Sequence, residues 1–525
     1  MAARTMTARR ALPALALLMA AGLAQAQDGI FNGGFEIGQS NPVPGPATFQ
    51  NEAALRVDQM LNSSYRFDAL FTDFNSDGCL DPFIFSHADW GATSRLWLNR
   101  CDGSGTFVYA DNAAVNHNIN GASNPLASGW IALLDFNGDG RQDFWARHGN
   151  AMGARYRNGS PAAAWVPWFA AKENACEGYC AFADITGAGA LQIINYTRRV
   201  EHMITREPLL PASGNAAYLV VGDVTGDGWP DIVQPANGGY WRNNAGSLSW
   251  VPVPAFTGGR FMQMLLADFD NDGHLDLFYL DGEQFSASNR ALLMRNDGAG
   301  GFSNVSAGSG LANIAASDYG NIVAADFDND GRQDLMVSGV ADSVRIYRNN
   351  GNMNFSAVTT NFGPASGQGP GGWESAAPRA SVGDFDRDGL LDIVKTQFAT
   401  NLGLWRNTTS TNGSRWMKVR VRGAGQNADG IGASVRWYVP GSSQLVAHMP
   451  VLAAEQHAQT HLHTGLGGRV TVDLEVRFPN GGPVRRYNNI ASNQEVIVYA
   501  NGCLLQGWQP GSGWPLTAPV GCAAP

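Results

Sequence analysis

The sequence predicts an all-β chain, a seven-bladed β-propeller followed by a small β domain, and three observations lead there. A nine-residue loop of the form Asp-x-[Asp/Asn/Thr]-x-Asp-Gly-x-x-Asp returns seven times, starting at Asp73, Asp135, Asp184, Asp223, Asp268, Asp326 and Asp384. Short apolar runs flank each copy, as in Met264-Leu265-Leu266-Ala267 before the fifth and Leu335-Met336-Val337-Ser338 after the sixth. Beyond residue 410 the loops stop, and alternating apolar and polar segments with glycine turns take over. A loop recurring every few tens of residues marks a repeat architecture in which each unit is too small to bury its own faces.

Each repeat reads as four short strands. The apolar runs before and after the loop give two. A third segment ends at Asn, as in Leu96-Trp97-Leu98-Asn99, Tyr240-Trp241-Arg242-Asn243, Ile346-Tyr347-Arg348-Asn349 and Leu404-Trp405-Arg406-Asn407, and a fourth follows a glycine-rich turn, as in Phe355-Ser356-Ala357-Val358. Four short strands bounded by Gly, Asn and Asp describe a propeller blade, so seven loops predict seven blades over residues 60–410.

The chemistry of the loop follows from the spacing of its oxygens. Side chains at positions 1, 3, 5 and 9 and the backbone carbonyl at position 7 surround one point, and the glycine at 6 permits the turn. That is an oxygen set for a hard cation, and calcium is the expected cofactor. Three copies carry four carboxylates: Asp268, Asp270, Asp272 and Asp276 with the carbonyl of His274; Asp326, Asp328, Asp330 and Asp334 with that of Arg332; Asp384, Asp386, Asp388 and Asp392 with that of Leu390. Two exchange a carboxylate for an amide oxygen: Asp73, Asn75, Asp77 and Asp81 with Cys79, and Asp135, Asn137, Asp139 and Asp143 with Arg141. The fourth, Asp223, Thr225, Asp227 and Asp231 with Trp229, is expected to bind more weakly. The third reads Asp184, Thr186, Ala188 and Gln192; with one carboxylate it should hold no ion and act as a turn. A lone Asp-Gly pair is usually only a turn. Carboxylates repeated at fixed spacing go beyond what a turn needs.

These residues carry a family resemblance. The repeats resemble FG-GAP or VCBS repeats, the blades of integrin-α-like propellers, and the resemblance implies a calcium ion in each intact loop. Residues 415–500, with Asn427-Ala428-Asp429-Gly430-Ile431-Gly432-Ala433, His463-Thr464-Gly465-Leu466-Gly467 and Val476-Arg477-Phe478-Pro479-Asn480-Gly481, are similar to the ASPIC/UnbV domain, which follows such repeats in the cartilage acidic protein family.

The ends bound the location. Arg4, Arg9 and Arg10 precede an apolar stretch from Ala11 to Leu23 and a small-residue Ala24-Gln25-Ala26, so residues 1–26 read as a secretory signal peptide, leaving 27–59 as an N-terminal segment. No other run is long enough to cross a bilayer as a helix. Six cysteines after an export signal favour disulfides, with Cys79–Cys101, Cys176–Cys180 and Cys503–Cys522 as the sequence-local scheme among the possible pairings, and the last pair stapling a tail at 501–525. The net charge of -10 needs no basic partner, because about half of the 45 acidic residues are loop ligands. No basic stripe suggests nucleic acid.

Function is the least determined. The favoured expectation is an exported, non-enzymatic adhesion or ligand-binding platform for an unidentified extracellular protein or glycan. The alternative is a secreted carbohydrate-active hydrolase or lyase with its site in the propeller channel; the sequence carries no nucleophile elbow or HExxH constellation for it. His457, His461 and His463 could gather a metal, but alternation along a strand accounts for them as well.

Overall fold

A computed structural model describes residues 44–58, 66–86, 95–110, 131–148, 152–158, 165–169, 180–195, 200–210, 218–256, 261–281, 290–314, 321–358, 362, 380–397, 401–510 and 518–522, with short breaks inside these ranges. The N-terminal stretch with the signal-peptide reading lies outside them, as do Cys176, Asn137, Asp139 and Arg141.

The fold is an all-β propeller followed by a small β domain. Seven sheets follow one another along the repeat region, and each is an antiparallel meander whose first strand runs directly into the acidic loop. The sixth is representative: Ile322–Ala325, Asp334–Val340, Ser343–Asn349 and Phe355–Val358 pair in that order. First strands lie beside one another from sheet three to sheet seven, Arg66–Thr72 of sheet one packs against Ala380–Gly383 and Asp392–Gln397 of sheet seven, and Thr72 Oγ1 donates to Gln142 of sheet two at 2.7 Å, so the row of sheets curls back on itself. Phe49–Asn51, in the segment left unassigned by the sequence, supplies the fourth strand of sheet seven by pairing with Asn401–Asn407.

Packing between sheets is apolar and aromatic. Phe269, Phe278, Leu293, Ile322, Leu335 and Phe355 form one buried cluster across sheets five and six. Phe327, Met336, Ile346, Ile393 and Trp405 form the next, with Phe362 edge-on to Trp405. Strands of three to seven residues cannot bury both faces alone, and the neighbouring sheet completes each core.

The C-terminal domain is a sandwich of two four-stranded sheets. One holds His461–Gly467, Arg415–Arg422, Gln494–Tyr499 and Leu504–Gln506; the other holds Leu445–Pro450, Ser434–Tyr438, Thr471–Arg477 and Val484–Ala491. Alternation in Arg415–Arg422 turns Met417, Val419 and Val421 into the core around Trp437. Lys418, Arg420 and Arg422 point the other way, toward the propeller. The domain is not a separate body. Its hairpin of Leu452–Ala454 and His457–Gln459 adds to the inner edge of sheet three through Ala181↔Ala454, and its core is continuous with Leu134, Phe136, Phe182 and Ile193 of sheets two and three. Between the domain and the first strands lies a cavity of ≈ 220 Å³, with Val221, Leu265, Val323 and Val382 among its walls and Lys418 and Glu495 at its polar end.

Candidate metal centres

Each loop is organised by its own side chains. The position-1 carboxylate accepts a hydrogen bond from the N–H of the position-6 glycine, at 3.1 Å for Asp73–Gly78 and 2.8 Å for both Asp268–Gly273 and Asp326–Gly331. The position-9 carboxylate reaches back to the N–H of position 2, at 2.9 Å for Phe269–Asp276 and 3.2 Å for Phe327–Asp334. The position-5 side chain accepts from position 7, as in Cys79–Asp77, Trp229–Asp227, His274–Asp272, Arg332–Asp330 and Leu390–Asp388. The glycine is required, since Gly331 sits at φ 91° and Gly389 at φ 88°.

This framework converges carboxylates. In the last three loops, oxygens of positions 1, 3 and 9 lie within 4.8 Å of one another: Asp268, Asp270 and Asp276; Asp326, Asp328 and Asp334; Asp384, Asp386 and Asp392. Burial, followed by the repulsion of neighbouring carboxylates, holds the carboxyls of Asp268, Asp326, Asp334 and Asp392 well above their ordinary range. Asp328 Oδ1, Asp384 Oδ1 and Asp386 Oδ1 are buried and accept no hydrogen bond. Buried anionic oxygens without donors fit a hard cation. In the first and fourth loops Asn75 and Thr225 hold position 3, and three carboxylates do not converge there. The second loop is described only in part: Asp135 and Asp143 are buried, and Asn137, Asp139 and Arg141 are outside the described residues.

Two details correct or extend the sequence reading. The Cys79 sulphur is bonded to Cys101, so this position-7 residue offers only its carbonyl. Cys503 pairs with Cys522, and Cys180 is disulfide-bonded as well. The histidines form no metal-holding group among the described residues: His463 Nε2 lies 3.0 Å from Asn329 Oδ1, and its ring stacks on Trp416.

The third loop shows why it differs. Gln192 replaces the position-9 carboxylate, and its Oε1 accepts from the N–H of Ile185 at 2.6 Å as the carboxylate does elsewhere. Its Nε2, with two hydrogens to share among them, lies within hydrogen-bond reach of Asp184 Oδ1 at 3.0 Å, Thr186 Oγ1 at 2.9 Å and the Ala190 carbonyl at 2.7 Å. These acceptors belong to positions 1, 3 and 7.

The Arg-Asn pair that closes the third strand was read from sequence only as a strand end before a turn. The Asn side chain donates into the preceding sheet's loop: Asn243 to the Ile185 carbonyl at 2.9 Å, Asn296 to Val224 at 2.9 Å, Asn349 to Phe269 at 2.8 Å and Asn407 to Phe327 at 2.8 Å. Asn99 donates to Phe385 at 3.0 Å and so links sheet one to sheet seven. The preceding arginine grips positions 3 and 5: Arg295 reaches Asp270 at 2.5 Å and Asp272 at 2.8 Å, and Arg406 reaches Asp386 at 2.5 Å and Asp388 at 2.6 Å. The signal was recurrence: Asn closes the third strand after every intact loop, and Arg precedes it in all of them but the first, where Leu98 stands before Asn99.

The C-terminal domain meets the position-1 carboxylates from the other side. Lys418 Nζ lies 2.7 Å from Asp384, and Gly465 N–H donates to Asp326 at 2.7 Å. His448, held neutral by burial, is 3.3 Å from Asp268. Asn480 donates to Asp184 at 2.7 Å, and Arg422 is 3.6 Å from Asp135. Arg420 favours the charged form of Asp73, although burial leaves that carboxyl at about 7. At the fourth loop Arg477 donates to the Gly226 carbonyl at 2.8 Å. Every loop thus touches the domain.

The fold defines a propeller of repeated acidic-loop sheets joined to a β-sandwich. Residues 268–337 and 326–394 match the FG-GAP-like repeat, and residues 423–502 match ASPIC and UnbV, so the chain carries FG-GAP-like repeats and an ASPIC and UnbV domain. No curated protein matches the chain. Among solved structures it is similar to the BP39L lectin from Burkholderia pseudomallei, with 14% identity, 66% of this chain and 98% of that one covered, and a TM-score of 0.43. YCF48 from Cyanidioschyzon merolae has 9% identity, 69% and 98% coverage and a TM-score of 0.35. The exotype rhamnogalacturonan lyase YesX has 13% identity, 71% and 75% coverage and a TM-score of 0.34. The likeness is one of fold alone.

Proposed function

We propose that this chain is an exported, calcium-stiffened propeller that acts as a non-enzymatic binding platform for an extracellular protein or glycan. The observation that carries the calcium reading is the set of buried carboxylate oxygens at Asp328, Asp384 and Asp386 that accept no hydrogen bond inside converging triads. Asp268, Asp270 and Asp276, with their counterparts in the next two loops, would hold the ion, which supplies a neutralising cross-link. The chain's own residues do the rest: glycines turn the backbone, arginines flank positions 3 and 5, and asparagines tie loops three to seven to the next sheet.

A binding role is supported by what surrounds the channel. Lys418 is paired with Asp384, His463 is engaged by Asn329, and the cavity wall is largely aliphatic. The apolar segment at 11–23 and the disulfides support export. The test is a glycan array together with envelope and matrix proteins, each with calcium and with chelator, alongside turnover assays on the same candidates. Saturable, calcium-dependent binding without product is expected. Product in excess of protein would overturn the platform in favour of a hydrolase or lyase.

A further inference from the structure

We propose that the third loop is an ion-free anchor for the C-terminal domain, in which the Gln192 side chain stands in for the cation. The proposal rests on the calcium reading of the other loops only for its contrast with them. One amide does two jobs here. Its oxygen takes the place of the position-9 carboxylate toward Ile185, and its NH2 group meets the oxygens of positions 1, 3 and 7 that the loop pattern directs at an ion. The orientation of the amide is fixed by chemistry: the reverse would set its oxygen against the Asp184 carboxylate and the Ala190 carbonyl, and its NH2 against the N–H groups of Ile185 and Thr186. With Asp184 the lone carboxylate among the four ligand positions, the loop has no repulsion that a metal would have to neutralise.

The domain is tied most broadly at this sheet. Asn480 bonds the other oxygen of Asp184, Ala454 pairs with Ala181, and Val451 and Ala453 share a buried cluster with Phe182 and Ile193. None of these contacts involves a carboxylate triad. The contacts at Asp268, Asp326 and Asp384 do, so they depend on loops whose charges repel unless neutralised. Removing calcium should therefore loosen the domain over sheets five to seven while it stays attached at sheet three.

Hydrogen–deuterium exchange on the full chain, with calcium and with excess chelator, reads this directly. Chelation is expected to speed exchange about tenfold or more in 326–334, 384–392 and 415–422, and to leave 180–195 and 452–454 unchanged. Gln192→Leu should raise exchange in 180–195 and 452–454 even with calcium present. Equal loosening of sheet three by chelator, or no effect of Gln192→Leu, would overturn the anchor. If that variant does not fold, Ala188→Asp with Gln192→Asp is the second test: it should bind one calcium more than the wild type and make 180–195 chelator-sensitive, and an unchanged count would overturn the proposal. A wild type that binds no calcium refutes the functional reading instead, and the anchor is then judged on the Gln192→Leu exchange alone.

Discussion

Asn349 shows how much a single side chain carries in this ring. Its amide donates to the Phe269 carbonyl of the preceding loop and to the Gln333 carbonyl of its own, and its oxygen accepts from Gly351. Asn349→Ala leaves two buried carbonyls without donors and should cost about 2 to 4 kcal/mol, whereas Asn350→Ala, at an exposed neighbour, should stay within about 0.5 kcal/mol. Urea midpoints for the two variants check this, and equal midpoints would refute the brace. The ligand positions separate in the same way. Asp330→Ala should lose about one bound ion and Asp184→Ala none, as counted by native mass spectrometry. The carboxylates were legible in the sequence because their spacing repeats. Gln192 was legible as a missing ligand but not as a replacement, because its role depends on where an amide nitrogen points.

At the scale of the strand, alternation reveals which face is apolar and conceals what the polar face meets. Lys418, Arg420 and Arg422 read as the wet side of Arg415–Arg422, yet they approach the loops of sheets seven, one and two. Only the ring's closure brings those loops beside one strand, and no local pattern encodes it. Phe49–Asn51 escaped for a similar reason: three residues without alternation pair with a strand at the far end of the repeats. The hairpin of Leu452–Ala454 and His457–Gln459 has the period of a strand, but its partner Ala181 lies in another domain. The disulfide between Cys503 and Cys522 was legible because the pair brackets the tail. It closes a loop of 19 residues against Leu504–Gln506, and replacing both cysteines by serine should destabilise that segment by about 3 kcal/mol. Exchange at 504–506 that is no faster in the double variant would refute this.

Across the whole molecule the loops are expected to set the response to calcium and to pH. Without a cation, burial raises the carboxyls of Asp328 to about 7 and of Asp231 and Asp276 to about 8, from an ordinary value of 3.8. Over that window the folded chain binds more protons than the unfolded chain, so stability is fully present below the ordinary value and is lost as pH rises through about 7 to 8. In chelator the melting temperature should therefore fall from pH 5 to pH 8. Calcium should raise it most at the upper end, each site adding about 1.4 kcal/mol at ten times its dissociation constant. Melting curves that ignore both chelator and pH would refute the loops as ion-stabilised joints.

The clasp between Phe49–Asn51 and Asn401–Asn407 also gives the molecule an order of birth. Phe49–Asn51 leaves the ribosome long before its partner, which is synthesised only after six sheets have been made. Until then the nascent protein is an open arc with two raw ends, one at the start of sheet one and one at the newest sheet, and each presents apolar strands to the surrounding medium. Closing the arc is a long-range pairing across almost the whole repeat region, and such pairings are slow. The hairpin that joins sheet three is synthesised later still, and a chain cut short before residue 401 lacks both the clasp and the cover, leaving sheet one to meet sheet seven only through the packing of Arg66–Thr72 and the Asn99 hydrogen bond.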